Sequence, residues 1–205
     1  MGINGEKSVK LGDIVDFGGY AWLVLDIQDG QALLLSQLVL ENRPYNEEDV
    51  PITWEKCTLR RYLNGEFYEK FSAADRERII QTDVKNEDNQ WFGTPDGVQG
   101  DTADYIFLLS IEEVVRYFGD SGKLESGISN EIYETCIDDE FNKNRIAKDS
   151  LGATVTWWLR SNGDYDRDAA GVYLNGCLYL DGGHVLAGCG VRPALWVDLC
   201  LSSDF

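Results

Sequence analysis

The first third of the chain alternates between apolar, β-rich runs and residues that are typical of turns. Residues 13–17, 20–27 and 31–36 form the apolar runs, and Gly18-Gly19 and Asp29-Gly30 separate them. An Asp-Gly pair between two apolar runs is a strong signal for a two-residue hairpin turn. The pattern therefore predicts three strands, with a hairpin between the second and the third.

The middle of the chain carries the patterns of helices. Residues 53–65, 72–80 and 110–118 are predicted as helices, because each begins with a Thr or Ser that can cap the first turn. Glycine ends the first and the third of these helices. Residues 105–109 are predicted as a short buried strand. The polar stretch that follows predicts one further helix, at about residues 131–136.

After residue 155 the pattern changes to short strands that are separated by glycine turns. Trp157 and Trp158 begin the first strand, and residues 191–197 are predicted as the last. In the strands between them, alternate residues point to opposite faces of the sheet. The predicted inner face holds Ala170, Val172, Leu174, Leu178 and Leu180, and the opposite face holds Gly171, Tyr173, Asn175, Cys177, Tyr179 and Asp181. Without an internal repeat or a linker, the sequence predicts one α+β domain over residues 1–205.

Charge and composition narrow the classes of partner. The chain has 36 acidic and 18 basic residues, a net charge of −18, and 43% hydrophobic residues, which is enough for a sizeable core. So strong a negative charge argues against binding to nucleic acid, which needs a cationic face. No apolar run is long enough to predict membrane insertion. The absence of a signal peptide predicts a cytoplasmic protein, and a phage particle or a cell surface stays open as an alternative.

The cysteines and the acidic loop at residues 164–168 are the candidate sites for a metal or cofactor. Five cysteines, an odd number without a C-x-x-C pair, fit neither a disulfide framework nor a zinc site. Free thiols are predicted, with a Cys177–Cys189 bridge as the open alternative. Asp164-x-Asp166-x-Asp168 suggests calcium, but position twelve of that loop is Asn175 and not the Glu of an EF-hand. The sequence therefore predicts no metal and no cofactor.

Several motifs in a fixed order carry a resemblance to a protein family. They are FGGYAWLVLD (residues 17–26), RPYN (43–46), TWEKCTLRRYLNGEFY (53–68), FLLSIEEV (107–114), WWLRS (157–161) and GVRPAL (190–195). From about residue 9 to residue 199 the chain resembles a large bacterial family known only as a domain of unknown function. The half from WWLRS to GVRPAL also resembles the C-type-lectin-like fold of formylglycine-generating enzymes and of the variable proteins of diversity-generating retroelements. This resemblance implies small twisted antiparallel sheets with flanking helices, and a display region at about residues 155–199.

The polar face and loops of the display region are the candidate binding site. Tyr, Asn, Asp and Arg side chains on a rigid support resemble an antibody paratope. We therefore expect non-catalytic binding of a protein or glycan ligand. The candidate residues are Asn162, Asp164, Tyr165, Asp166, Arg167, Asp168, Tyr173, Asn175, Tyr179, Asp181 and His184.

The composition of residues 162–190 fits the resemblance to the variable proteins. These 29 residues contain no Glu, Lys, Gln, Met or Trp, whereas the other 176 residues contain 36 of them. Retroelement diversification mutates the adenines of AAY codons, and it cannot produce those five residue types. Strands and glycine turns also deplete Glu, Lys and Gln, so this structural explanation stays open.

Two alternatives to ligand binding remain at this point. The first is an oxidase of the formylglycine-generating kind that uses Cys177 or Cys189, with His184 nearby; it requires a reactive thiol. The second is a purely structural module, in which the exposed tyrosines and aspartates have no partner.

Overall fold

The structure is a computed structural model, and it describes residues 9–94, 99–127 and 135–200. The strands in chain order are β1 (Ile14–Phe17), β2 (Tyr20–Gln28), β3 (Gln31–Ser36), β4 (Glu41–Arg43), β5 (Ile79–Ile80), β6 (Thr82–Val84), β7 (Thr102–Asp104), β8 (Cys136–Ile137), β9 (Ala147–Lys148), β10 (Thr154–Val155), β11 (Trp157–Asn162), β12 (Asp168–Val172), β13 (Leu178–His184), β14 (Cys189–Val191) and β15 (Ala194–Asp198). The helices are α1 (Thr58–Tyr62), α2 (Ala73–Arg78), α3 (Ile111–Phe118), α4 (Lys123–Ser126) and α5 (Asn142–Arg145).

A five-stranded antiparallel sheet contains the predicted N-terminal strands and the final strand of the chain. Its order is β1-β2-β3-β15-β5. The backbone φ angles of Asp29 and Gly30, between β2 and β3, are +50° and +78°. Two consecutive positive φ values are what a tight hairpin turn between twisted strands requires. The predicted hairpin is therefore confirmed.

A six-stranded mixed sheet carries the display region. Its order is β4-β14-β11-β12-β13-β8, and only the β11–β14 pair is parallel. Two further sheets have two strands each, β6 with β7 and β9 with β10. The described chain is thus an α+β structure of small antiparallel and mixed sheets with short helices.

Buried apolar residues of both large sheets belong to one hydrophobic cluster. Trp157 and Trp158 begin β11 as predicted, and both indoles are buried. Their Nε1–H groups donate to the carbonyl oxygens of Arg145 (3.1 Å) and Arg43 (3.0 Å), so burial leaves neither indole N–H unpaired. The pair therefore anchors the centre of the mixed sheet.

The helix starts that were predicted from a capping serine were confirmed. Ser110 and Glu113 form the full capping box of α3, which ends at Gly119 as predicted. Ser72 caps α2 through the N–H of Asp75. The prediction of Thr53 as a cap was wrong. Its carbonyl oxygen accepts bonds from the N–H groups of residues 56 and 57 in a turn, and Cys57 caps α1 instead.

The predicted helix stop at Gly65 was also wrong. The chain continues through a short π-helix (Leu63–Phe67) and a short 3-10 helix (Tyr68–Lys70), in which Leu63 and Phe67 are buried in the core. None of the helices in the described ranges is long and apolar enough to cross a bilayer.

Three strand predictions need correction. Residues 191–197 are divided between two sheets: β14 ends at Val191 and β15 begins at Ala194. Pro193, which has no N–H to donate to a ladder, lies between the two strands. Leu174 is 55% exposed and does not face the core, because a turn begins at Tyr173, where the carbonyl accepts the Gly176 N–H. Residues 105–109 make a single bridge, at Phe107, and no strand. Of the helix predicted at residues 131–136, residues 131–134 lie outside the described ranges, and Cys136 is in β8.

Candidate functional site

The candidate residues lie on the β12–β13 hairpin and the loop before it. Asp168 of β12 lies opposite His184 of β13, and Gly171 lies opposite Tyr179. The tyrosines and the Asp–His pair thus occupy the two ends of one hairpin. We use the name Tyr–Asp surface for the side chains of Asp164, Asp168, Tyr173, Tyr179, Asp181 and His184.

Two tyrosine rings form one end of the Tyr–Asp surface. The ring centroids of Tyr173 and Tyr179 are 4.4 Å apart, with an angle of 37° between the ring planes. Tyr173 is 38% exposed and Tyr179 is partly buried beside β8. Burial, the Tyr173 hydroxyl and the charge of Asp181 all raise the pKa of Tyr179, so its hydroxyl stays protonated at neutral pH. It is therefore available as a hydrogen-bond donor.

Asp181 and Asp164 form the middle of the surface. The Asp164 N–H donates to the carbonyl oxygen of Asp181 at 2.9 Å, which holds the loop against β13. Burial is the main cause that raises the pKa of the Asp181 carboxyl to about 6; the hydrogen bond from Thr135 opposes this rise, and the charge of Asp164 adds to it. Its Oδ1 atom is buried and has no hydrogen-bond partner among the described residues.

The other end of the surface is tied to a separate loop. Asp49 Oδ1 lies 3.2 Å from Arg167 Nη1 and 3.3 Å from His184 Nε2, and all three side chains are about half exposed. Asp168 lies beside them, with its pKa raised by burial and by the charge of Asp164. Asp49 could not be predicted as a member of the site, because nothing in the local pattern of residues 44–50 connects this loop to the hairpin.

The eleven candidate residues differ in their exposure to solvent. Ten of them are at least partly exposed, and Tyr165 is the most exposed aromatic residue among them. Asn162 is buried at the end of β11, where its carbonyl oxygen accepts a hydrogen bond from Asn89 Nδ2 (2.7 Å), so it cannot contact a ligand on the surface. Asn175 lies in the exposed turn, and its Oδ1 accepts the Cys177 N–H.

The five cysteines are all free thiols, and the alternative of a Cys177–Cys189 bridge is not present. Burial raises the pKa of Cys189 to about 11. Burial and the neighbouring Cys136 thiol also raise the pKa of Cys177. A catalytic thiol needs the opposite change, towards the thiolate. In the described ranges no group of three or more His, Cys, Asp or Glu side chains is placed to hold a metal ion.

We expect the thiols to differ sharply in reactivity. Cys200 is exposed and should be alkylated first when iodoacetamide is added to the folded protein at pH 8. Cys177 is buried and Cys189 is partly buried, and their raised pKa values keep both thiols protonated, so both should react much more slowly than Cys200 until the protein unfolds. Peptide mass spectrometry over time measures this order, with urea-unfolded protein as the control. Alkylation of Cys177 or Cys189 as fast as Cys200 would contradict it.

The raised pKa of Asp181 predicts a dependence of stability on pH. Because its pKa in the folded protein, about 6, exceeds the ordinary 3.8, its contribution to folding is full below pH 3.8 and is lost as the pH rises through 6. Asp181→Asn should therefore gain stability relative to wild type between pH 4 and pH 7.5. Urea denaturation at both pH values measures this gain, and Asp166→Asn on the same loop is the control. A gain that does not change with pH would refute the assignment.

Comparison with models of protein families matches residues 29–199 to a family described as a domain of unknown function, DUF6273. No curated protein matches the chain, and no solved structure does. The matched residues include the mixed sheet, the β12–β13 hairpin and all but the first strands of the five-stranded sheet. Because the match covers well over half of the chain, this protein belongs to the DUF6273 family.

Proposed function

We propose that this protein is a non-catalytic binding domain that holds a protein or glycan ligand on the Tyr–Asp surface. The observation that carries the proposal is the Tyr173–Tyr179 ring pair beside the Asp181 carboxylate. Tyrosine rings supply contact area at a low cost in side-chain entropy, and carboxylates accept hydrogen bonds from sugar hydroxyl or protein N–H groups. The arrangement suits recognition without covalent chemistry.

The support beneath the surface is rigid, which favours binding. Every residue of β11 is buried, and β11 pairs with β12 at the centre of the mixed sheet. Gly163 brings the loop so close to β13 that a Cβ atom at this position would overlap the Asp181 carbonyl oxygen. A surface held in this way loses little conformational entropy when a ligand binds.

The C-type-lectin-like fold and retroelement diversification are the finer parts of this proposal. The fold is supported by the resemblance of the half from WWLRS to GVRPAL. The diversification is supported by the exposure of all candidate residues except Asn162, and by the absence of Glu, Lys, Gln, Met and Trp from residues 162–190. The coding DNA tests the diversification. We expect pyrimidine-ended codons at the candidate positions and a near-identical, adenine-rich copy nearby. A purine-ended codon for Arg167, or no such copy, would refute it.

A binding screen tests the function directly. The full chain is screened against a glycan array and a library of cell-surface proteins, beside the variant Tyr173→Ser/Tyr179→Ser. Binding by the wild type should be lost in the variant, because both rings are removed from the surface. The matched control is Tyr68→Ser/Tyr105→Ser, which removes another pair of tyrosine rings in contact, with a centroid distance of 4.6 Å.

The outcomes separate the proposal from its alternatives. Binding that survives in the control and is lost in Tyr173→Ser/Tyr179→Ser supports the Tyr–Asp surface. Equal binding by the wild type and that variant contradicts the site. A chain that binds nothing on either platform favours the purely structural module. Near-UV circular dichroism of each variant checks that the fold is kept.

A further inference from the structure

A pocket on another part of the molecule shares no residue with the Tyr–Asp surface. It has a volume of about 560 Å³, which is within the usual range for small-molecule pockets. It lies where β1, β2 and the end of β3 meet the end of α3 and the segment from α5 to β9. Its walls are formed by Ile14, Leu23, Gln37, Leu38, Phe118, Lys143, Asn144, Ile146, Lys148 and Arg192.

The charge of this pocket is the reverse of the charge of the protein. Lys143, Lys148 and Arg192 line it, and none of the lining residues is acidic, although the chain carries a net charge of −18. In the described part of the chain none of these three cations forms an ion pair, whereas most of the other buried or half-buried arginines do. An unneutralised positive patch in so acidic a protein favours an anionic ligand.

Arg192 is the buried member of the three cations. It is 4% exposed, and its Nε–H donates to the Ser36 carbonyl oxygen at 2.9 Å. The guanidinium carbon lies 5.1 Å from the Trp157 ring centroid and 5.7 Å from that of Phe118, which fixes its position. Its Nη1 atom is buried and has no hydrogen-bond partner among the described residues.

Arg145 and Arg160 also have one buried N–H without a partner, but each is neutralised by a carboxylate, and Arg192 is not. A buried charge without a counter-ion is costly. Burial lowers the pKa of Arg192 only to about 10, so the guanidinium is charged at neutral pH. A planar guanidinium group can donate two parallel N–H hydrogen bonds to the two oxygen atoms of one carboxylate. Because Arg192 lines the pocket, a carboxylate bound there would place its negative charge beside the guanidinium.

Five of the other seven lining residues are apolar, and Gln37 and Asn144 are polar. Ile14 and Leu38 are large side chains that stay exposed at the pocket, and Leu23, Ile146 and Phe118 extend the apolar wall. Water-exposed aliphatic groups beside a buried cation favour a ligand that carries both a charge and an apolar part, because its binding would remove this apolar surface from water.

We propose that this pocket binds a small organic carboxylate with an aliphatic chain. The carboxylate pairs with the Arg192 guanidinium, Lys143 and Lys148 add positive charge at the rim, and the chain lies against Ile14 and Leu38. This proposal does not depend on the Tyr–Asp surface, so evidence against either proposal would leave the other unchanged.

Calorimetric titration of the full chain with three probes tests the ligand class. Octanoate carries the charge and the chain, octanamide carries only the chain, and inorganic phosphate carries only charge. We expect octanoate to bind at least tenfold more tightly than octanamide and than phosphate. Equal affinity for octanoate and octanamide would refute the role of charge. Preference for phosphate would refute the apolar part, and no binding of octanoate would refute the proposal.

Variants locate the binding in the pocket. Leu38→Asp and Lys148→Glu change exposed residues, so the fold is kept, and each should weaken octanoate binding at least fivefold. Lys56→Glu changes an exposed lysine outside this pocket by the same charge, and it should bind like the wild type. Arg192→Gln should abolish binding, with thermal unfolding as the check on its fold. Wild-type affinity in both Leu38→Asp and Lys148→Glu would overturn the proposed location.

Discussion

Replacing Arg145 with methionine is expected to lower the free energy of unfolding by about 3–5 kcal/mol. Arg145 and Asp139 form an ion pair with an Nη2–Oδ2 distance of 3.0 Å, and their side chains are 0% and 1% exposed. The guanidinium also donates to the carbonyl oxygen of Gly119 at 3.1 Å. Methionine fills a similar volume but leaves the Asp139 charge buried without its partner, and that uncompensated charge is the main cost.

Urea denaturation at pH 7 measures this loss, and Arg167→Met is the control. The ion pair of Arg167 with Asp49 is about half exposed, so its removal should change stability by less than about 1 kcal/mol. The two variants therefore compare the loss of a buried ion pair with the loss of an exposed one. A loss of under 1 kcal/mol in Arg145→Met would contradict the proposed role of the buried pair.

The same ion pair predicts how the effect changes with pH. Burial by itself would raise the pKa of Asp139, but Arg145, the Ser121 hydroxyl and the Phe141 N–H lower it below its ordinary value of 3.8. Because the pKa is lowered in the folded protein, the stability that it contributes is full above pH 3.8 and is lost as the pH falls further. The difference between wild type and Arg145→Met should therefore shrink in acid.

Replacing Gly176 with alanine is expected to cost about 2–5 kcal/mol of stability. Gly176 ends the turn that presents Tyr173, its φ is +85°, and a Cβ atom there would overlap the backbone carbonyl of Asn142. The backbone angle alone costs roughly 1–2 kcal/mol for alanine, and the steric overlap adds roughly 1–3 kcal/mol. The turn would have to move away from α5, and Tyr173 would move with it.

Gly152 provides a closely matched control for this substitution. Its φ is +83°, but no atom lies within 4 Å of the position that a Cβ would take. Gly152→Ala should therefore show only the backbone cost, and the difference in unfolding free energy between the two variants reports the steric overlap. Equal losses in the two variants would show that the turn does not press against Asn142.

Short-range features of the fold could be predicted from the sequence, because the residues that determine them are neighbours in the chain. The Asp29-Gly30 turn and the capping box at Ser110 depend on two to four adjacent residues, and the structure contains both. The cap at Thr53 was wrong: residues 53–57 form a turn, and the neighbouring Trp54 donates a hydrogen bond to Asp104, fifty residues away. Such a contact leaves no mark on the local pattern.

The candidate site, too, could be predicted only where residues that are neighbours in the chain determine it. Alternation along the hairpin indicated that the even-numbered Ala170, Val172 and Leu178 point inward, and they are buried. Alternation could not indicate that Asp49 would approach His184, or that Asn162 would be covered by Asn89. Nor could alternation indicate the pocket around Arg192, because residues 14–38, Phe118 and residues 143–148 line it together with Arg192.

The position of β15 between β3 and β5 has a consequence for synthesis of the protein. β3 and β15 pair along five residues, although about 160 residues separate them in the chain. Until Ala194–Asp198 leaves the ribosome, the apolar β3 presents an open edge that can pair with other nascent chains. Ribosomes that stall before this point should therefore release aggregation-prone chains, and chaperones are expected to cover that edge during translation.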